Sequence, residues 1–290
     1  MRLILKEAYF LMTIKSLKWR SQYIYFALLY GLSSLIVPLT TQYLVNHLSL
    51  AGLLANTLSF IVILGVFLIG SQFFKYSQFI LSEYMQRQIF TNLSQDWKKS
   101  NSQKSQYFFE TFSLMKNFST SFTHLVELLL LLVFGLLVII MFHPVFLIIL
   151  ISISLILALI FRSWPFALKT SLLESNQKYR IFEDLTQGLL VSEQSQEDYL
   201  KLRDDHFKII KKSKFLVCVG FVVTQLFLIG GGIYLIEIDQ LSIGQLVSAE
   251  IILSGIMASF TKLPKTFESL YDFETSMVKH LYATGGAKHE

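Results

Sequence analysis

Six long apolar stretches constrain the fold of this chain more than any other feature of its sequence. Each is long enough to cross the hydrocarbon core of a bilayer, which takes about 20 mostly apolar residues in a helix. Charged residues make up only 16% of the chain, against about 25% in soluble domains. The sequence therefore predicts an all-α membrane protein with six transmembrane helices. Their approximate limits are 22–46, 53–81, 122–142, 144–164, 215–236 and 242–263.

Prolines mark two irregular points in these stretches. His143-Pro144 separates the third stretch from the fourth. Because proline lacks an amide hydrogen and disfavours helix at the preceding residue, we predict a tight hairpin there. Pro38 lies inside the first stretch, where we predict a kink of the kind that neighbouring groups in a membrane tolerate.

The basic residues predict the orientation of the chain in the membrane. All 25 Lys and Arg residues lie before the first stretch, at Lys75 and in 82–121, in 162–214, or from Lys262 onwards. The alternate loops carry none. Because short loops rich in Lys and Arg stay in the cytoplasm, both termini are predicted to be cytoplasmic. Contact of these residues with anionic membrane lipids accounts for the net charge of +5, so no nucleic acid partner is expected.

One short motif raises the question of ATP hydrolysis. Residues 241–245 read LSIGQ, one letter from the LSGGQ signature of ABC ATPases. They fall in a predicted external loop, where no ATP is available, and the sequence contains no G-x-x-x-x-G-K-[ST] motif for binding phosphate. We therefore predict that the chain is not an enzyme and has no catalytic residues.

The one cysteine of the chain, Cys218, lies in an apolar run and is predicted to be a buried thiol. No disulfide, redox or metal site is therefore indicated.

Four segments, in order along the chain, resemble the transmembrane domain of ABC-type exporters. Residues 241–273, which begin LSIGQLV, are similar to the sixth helix of that family, and 34–48 (SLIVPLTTQYLVNHL) to its first helix. Residues 108–118 (FFETFSLMKNF) and 168–185 (LKTSLLESNQKYRIFEDL) fall where its two cytoplasmic loops lie. Asn46 differs from the Asp usual in the family, and the region before 108–118 is shorter and more polar than in typical members.

This resemblance implies a fold, a location and partners. The fold would be an ABC exporter-like, domain-swapped dimer of six-helix subunits with long cytoplasmic helical extensions, similar to the peptide and protein secretion branch. The chain would be the transmembrane (permease) subunit in a plasma membrane, the bacterial inner membrane, paired with itself or with a related subunit. Residues 1–21 would form a cytoplasmic segment, 22–279 the transmembrane domain and 280–290 a short tail. Family members continue into a nucleotide-binding domain, and the sequence ends at Glu290, so we expect no cofactor on this chain and ATP and Mg on a separate ABC ATPase subunit.

Two cytoplasmic segments are the expected contacts with that ATPase. Residues 82–121 and 162–214 are charged but keep a helical spacing of apolar residues, and unstructured loops of this length are uncommon, so we predict helices that leave the membrane. By resemblance, they end in short transverse coupling helices within about 103–111 and 176–186. The alternative is a solvated helical hairpin with no partner. The residues assigned to the coupling contact are Phe108, Phe109, Tyr179, Phe182, Glu183 and Asp184.

The sixth stretch carries the candidate substrate pathway. Glu250, Ser254, Thr261 and Lys265 are spaced so that they share one stripe of a helix. Exposing a carboxylate to lipid costs about 2–3 kcal/mol or more, so the stripe should face the bundle interior or a wet cavity. We assign Glu250, Ser254 and Thr261 to the pathway, with a protonated or hydrogen-bonded packing role for Glu250 as the alternative.

Two further features of the spans each have two possible interpretations. His124 and Glu127, at the start of the third stretch, are either an ion pair or separately solvated. The triplet 230–232 is either a site of close helix packing or a flexible point. Two further functions also stay open: a non-transporting scaffold or regulator derived from an exporter, and an ion-driven carrier that uses Glu250, which is disfavoured because a single acid makes a poor proton relay.

Overall fold

All of the regular structure in the described residues is helical. The computed structural model describes residues 17–48, 54–94, 104–188, 190 and 192–283. Within these ranges there are nine α-helices, one short 3-10 turn and no strand. The helices are α1 (Leu17–Ser34), α2 (Ile36–Leu48), α3 (Leu54–Ser94), α4 (Lys104–Phe142), α5 (Leu147–Arg162), α6 (Trp164–Thr186), α7 (Glu193–Glu237), α8 (Ile243–Phe260) and α9 (Leu263–Ala283), and the 3-10 turn is Pro144–Phe146.

Among the described residues, six helical segments are long and apolar enough to cross a membrane. Each overlaps one of the six stretches found in the sequence. The chain is therefore an all-α, multi-pass membrane protein, as the sequence predicts. The segments are Lys18–Asn46, Ile61–Ser94, Thr111–Phe142, Pro144–Arg162, Glu193–Glu237 and Ile243–Met277.

The predicted kink in the first span is confirmed as a break between two helices. α1 ends at Ser34 and α2 begins at Ile36. The Leu35 amide donates to the Leu32 carbonyl at 3.3 Å, as in a tighter turn. Because Pro38 has no amide hydrogen, the Ser34 carbonyl lacks the donor that an uninterrupted helix would supply four residues later.

The predicted hairpin between the third and fourth spans is also confirmed. α4 ends at Phe142, and His143 is extended, with φ −159° and ψ 135°. Its Nδ1 accepts a hydrogen bond from the Val145 amide at 3.3 Å. The Nε2–H is then free to donate to Gln240 Oε1, 3.2 Å away. The hairpin is thereby tied to the turn that joins α7 to α8.

Several helices are much longer than a membrane span requires. α3 has 41 residues, α4 has 39 and α7 has 45. At about 1.5 Å per residue, α7 is about 68 Å long, whereas a bilayer core is about 30 Å thick. Where they are described, residues 82–121 and 162–214 are helical as predicted, apart from Ser163 and the turn between Thr186 and Glu193. Residues 95–103, 189 and 191 lie outside the described residues.

The sixth span is interrupted, which the sequence reading did not anticipate. α8 ends at Phe260 and α9 begins at Leu263. Pro264 cannot donate to the Phe260 carbonyl, and proline is favoured in the first turn of a new helix. Lys265 therefore lies on α9, beyond the break, and not on the same continuous helix as Glu250.

The helices fall into two groups that the last two helices join. Helices α1 to α4 contact one another, and so do α5 to α7, but the two groups make few contacts with each other. α8 and α9 pack against members of both groups, and α2 and α4 pack more against α8 and α9 than against their own group. The largest core forms where α4, α5, α7, α8 and α9 meet, and includes Ile139, Ile153, Leu228, Leu253 and Phe267.

Two small residues of α7 show which of its faces is buried. Gly232 is buried, and a Cβ there would overlap Leu246 of α8, so close helix packing is confirmed at this member of the triplet. Cys218, predicted to be buried, is exposed. Val217 and Gly220 supply the buried face at this level, and the thiol lies on another side of the helix.

Candidate functional site

The LSIGQ motif begins a helix. Ser242 is the N-cap of α8, and its Oγ accepts from the Gln245 amide at 3.1 Å. Gln245 Oε1 accepts in return from the Ser242 amide at 2.8 Å. This reciprocal pair is a capping box, which satisfies backbone donors that have no partner inside the helix. Helix initiation therefore accounts for the Ser and Gln of the motif.

The glycine of the same motif docks onto the first span. The Gly244 amide donates to Asn46 Oδ1 at 3.1 Å, and Asn46 Nδ2 donates to Ser242 Oγ at 3.2 Å. A Cβ at Gly244 would lie 2.5 Å from Asn46 Oδ1 and 2.5 Å from the Gln42 carbonyl oxygen. Only glycine fits without displacing α2. This contact, which we name the α2–α8 clamp, joins α2 to the start of α8.

Among the candidate pathway residues, Glu250 and Ser254 lie on one side of α8, and Thr261 is the C-cap residue that ends this helix. Glu250 is half-buried, and its Oε1 accepts from Gln225 Nε2 of α7 at 3.3 Å. Ser254 and Thr261 are exposed. No other helix of the described chain encloses them, so the stripe has the surroundings expected of a pathway only if a second chain covers it.

The assigned coupling residues lie on a continuous helix and not on a separate transverse one. Residues 176–186 are the last turns of α6, and the described part of 103–111 is the first part of α4. Tyr179, Phe182 and Asp184 are half-buried. The side chains of Phe108, Phe109 and Glu183 lie outside the described residues.

The point furthest along the α6–α7 pair is a turn. α6 ends at Thr186, α7 begins at Glu193, and Gly188 between them has φ +70°, which favours glycine. Leu190 in this turn is 99% exposed. Among the described residues, the most accessible apolar side chain of the pair thus lies beyond the aromatic residues that the sequence singled out.

Tyr179 and Phe182 line a cavity. Its volume is about 730 Å³, and it lies between α4, α6, α7 and α9. Much of its wall is polar or charged. The lining residues are Phe112, Ser113, Lys116, Asn117, Ser171, Glu174, Ser175, Lys178, Tyr179, Phe182, Tyr199, Arg203, Asp272, Thr275 and Ser276.

A charged network adjoins this cavity and joins α6, α7 and α9. Glu174 Oε2 accepts from Nδ1 of His206 at 2.5 Å, and Glu174 Oε1 pairs with Arg203 at 3.1 Å. Arg203 also pairs with Glu268 at 3.4 Å. The His206 side chain is only 1% exposed. The network is therefore buried at His206 and half-exposed at Arg203, whose side chain is 44% exposed.

The ionisation of Glu174 reflects these partners. Burial alone would raise the pKa of its carboxyl group. The hydrogen bond from His206 and the charge of Arg203 outweigh burial, so the pKa lies below its usual range. Glu174 is therefore an anion at neutral pH, and the network depends on that charge.

The sequence reading missed this network, and only one local signal pointed to it. Arg203 and His206 are three residues apart, so they share a face of α7. Glu174 lies on α6 and Glu268 on α9, and nothing in the sequence shows which helix faces meet.

Hydroxyl groups form a second set of hydrogen bonds in the same region. Ser171 donates to Asp272 at 3.3 Å and lies 3.2 Å from the Thr275 hydroxyl, and Ser276 donates to Ser113 at 3.1 Å.

His124 and Glu127 do not pair with each other in the described structure. His124 Nδ1 lies 2.6 Å from Thr266 Oγ1 of α9. His124 therefore contributes to packing between α4 and α9, while Glu127 lines a separate cavity among the spans. The two residues point to different neighbours although they are close in sequence.

Neither metal ligation nor similarity to known proteins assigns a function. Among the described residues, no group of three or more His, Cys, Asp or Glu side chains is placed to hold a metal ion. No protein-family model and no curated protein matches the chain. What the protein does must therefore be inferred from the helices and their surfaces.

Proposed function

We propose that the chain is the transmembrane subunit of an ABC-type exporter, which forms the substrate pathway and relies on a separate ATPase subunit. The four motifs quoted above support this proposal, because they occur in the family's order on a chain with six spanning helices. The observation that carries it is the α6–α7 pair, which continues beyond the fourth and fifth spans and ends in an exposed apolar tip.

The tip has the properties of a docking surface. Leu185 and Leu200 are each 60% exposed, and Leu190 is 99% exposed. Ile181 lies in the same groove, which has a volume of about 600 Å³. Contiguous exposed apolar residues on a soluble surface commonly mark a protein interaction site. In our proposal the ATPase binds here, with Tyr179, Phe182 and Asp184 behind the contact.

The mechanism requires two copies of the chain or one copy and a related subunit. ATP binding by the partner subunits would draw the α6–α7 pairs together and switch the pathway from inward-facing to outward-facing. The second subunit would cover the α8 face that carries Ser254 and Thr261. Glu250, whose described hydrogen-bond partner is the neutral Gln225, then serves as a polar group of the pathway.

Co-purification tests the proposal directly. A tagged chain is purified from native membranes in mild detergent, and ATP hydrolysis is measured in the eluate. We expect an ABC ATPase subunit to accompany the chain. A stable, transport-competent complex without any ATP-hydrolysing partner would contradict the proposal.

Reconstitution separates the exporter from the two other functions. If the ATPase binds but ATP moves no substrate into vesicles, the chain is a scaffold. Transport that continues without ATP and stops when the proton gradient collapses identifies a carrier. The described surroundings of Glu250 disfavour the carrier, since a relay needs a second ionisable group nearby.

A further inference from the structure

A second cavity lies among the membrane-spanning helices, away from the polar cavity described above. Its volume is about 310 Å³, and it is bounded by α1, α2, α3, α4 and α8. This is the lower end of the range for small-molecule sites. Its walls on α8 are Ile251, Gly255 and Ser259, a face of the helix next to the Glu250 stripe.

One end of this cavity is charged. Lys75 of α3, Glu127 of α4 and Lys262 after α8 all line it. The Lys75 ammonium lies 5.4 Å from the centre of the Tyr30 ring. All three charged residues fall within segments apolar enough to span a membrane, where charged side chains are costly and mark functional sites.

The other end is apolar. Leu131, Phe134 and Ile251 line it, together with Pro38. Along α4, Gly135 lies eight residues beyond Glu127, which is about 12 Å. A Cβ at Gly135 would be 2.8 Å from Ile252, so α4 and α8 close together at this end. The cavity thus has a charged end and an apolar end, and its long axis follows the helices.

The charges at the first end are not neutralised by one another. Among the described residues, none of the three forms an ion pair. Lys75 and Lys262 are exposed, whereas Glu127 is half-buried. Two cations and one anion leave a net positive charge at this end, which favours an anionic group.

We propose that this cavity binds an anionic membrane lipid. Its headgroup lies between Lys75 and Lys262, and one acyl chain follows the apolar wall towards Pro38. A lipid fits better than a soluble anion because the apolar end would otherwise stay unfilled, and because the cavity lies within the spans. Binding requires no ATPase, so this proposal stands or fails separately from the exporter proposal.

Substitutions of the lysines and of Glu127 should change the lipid preference in opposite directions. The purified chain is mixed with phosphatidylglycerol and phosphatidylcholine in equal amounts, and the retained lipids are counted by native mass spectrometry. Lys75→Gln with Lys262→Gln should lower the preference for phosphatidylglycerol, by about fivefold for each lysine at about 1 kcal/mol per basic residue. Glu127→Gln should raise that preference. Lys169→Gln, an exposed lysine outside the cavity, should change nothing.

A third variant tests the apolar end. Gly255 lines the cavity, and no atom lies within 4 Å of the place a Cβ would take. Gly255→Leu should therefore fill the cavity and abolish lipid retention without harming the fold. Gly231→Leu is the control, because that position is equally open but lies on α7.

Two results would overturn the proposal. One is an unchanged phosphatidylglycerol preference in the double lysine variant, or a weaker one after Glu127→Gln, which would show that the charges do not select the headgroup. The other is equal lipid retention by the Gly255→Leu and Gly231→Leu proteins, which would place the lipid elsewhere on the surface of the chain.

Discussion

Individual residues matter most in this protein where backbones approach closely or where charge is buried. At the α2–α8 clamp, Gly244 has no room for a side chain because Asn46 and the Gln42 carbonyl fill the space. In the charged network, Glu174 contacts both His206 and Arg203. We therefore predict the effect of one substitution at each of these two positions.

Gly244→Ala should destabilise the protein by about 1–3 kcal/mol, the usual cost of overpacking. The reason is the 2.5 Å separation between the added Cβ and two oxygen atoms, one of them on the backbone. Thermal unfolding in detergent measures the effect. Gly231→Ala, in open space on α7, should be neutral or slightly stabilising because alanine favours helix. Equal shifts of the unfolding temperature in the two proteins would show that the α2–α8 clamp is not tightly packed.

The charged network should make stability depend on acidic pH. The pKa of Glu174 is lower in the folded chain than its ordinary value, so its contribution is present above about pH 4.3, the value for an unfolded chain. That contribution is lost as the pH falls through the folded pKa. Thermal unfolding as a function of pH should show this loss in the wild type.

Glu174→Gln should remove that pH dependence. It should also lower stability by about 1–3 kcal/mol, because a buried donor of His206 loses its anionic partner. Glu83→Gln is the control, since Glu83 pairs with Arg87 at the surface and such pairs contribute about 0.2–1 kcal/mol. If both substitutions leave the same pH profile, the network does not depend on the charge of Glu174.

At the scale of helices, the α6–α7 pair offers two possible docking sites for the ATPase: the tip at Leu190, and the cavity wall that carries Tyr179 and Phe182. The sequence assigned the ATPase contact to Tyr179 and Phe182, whereas the structure puts Leu190 further out. The aromatic pair lines the polar cavity, and the leucine is free in solvent. Substitutions at the two places therefore distinguish the tip from the cavity wall.

Leu190→Asp should weaken ATPase binding at least tenfold if the tip is the docking surface, because burying an unpaired charge at an interface costs several times the about 1.4 kcal/mol that a tenfold change represents. Tyr179→Ala with Phe182→Ala should abolish binding if the aromatic pair supplies the anchors. The measurement is co-purification of the ATPase. Leu173→Asp, at an exposed leucine of α6 away from the tip, is the control. Full ATPase binding by the Leu190→Asp protein would show that the tip is not the docking surface and would favour the polar cavity instead.

The sequence predicted the elements well because their signals are local. The length of an apolar run predicts a span, and a proline predicts the break at Leu35 and the hairpin at His143. It did not predict the two cavities or the charged network, which depend on how distant helices are rotated against each other. Glu127 is an example. The sequence predicts that it lies in the third span, but it does not predict that Glu127 shares a cavity with Lys75 and Lys262.

At the scale of the whole molecule, the uncovered α8 face bears on assembly. Ser254 and Thr261 are exposed although they lie in a spanning segment. Polar groups inside a membrane normally face a bundle interior or a wet cavity. A second subunit on this face would satisfy that requirement, and water would then reach Ser254.

Thiol labelling tests whether that face is wet. In a Cys218→Ser background, Ser254→Cys should react several-fold faster with a polar thiol reagent than Cys218 does in the native chain, because thiolate forms only where water is present. Both positions are exposed on the single chain, so only what surrounds them differs. Equally slow labelling would place the α8 face in lipid and contradict the shared pathway.

The arrangement of α8 and α9 also has a consequence for how the protein is made. These helices pack against both groups of the other seven described helices, and they follow all seven along the chain. During synthesis, the two groups therefore enter the membrane before the helices that join them exist. Domains and helices usually fold as they emerge, N-terminal first. We therefore expect the two groups to be joined, and the ion pair between Arg203 and Glu268 to form, only after α8 and α9 have been inserted.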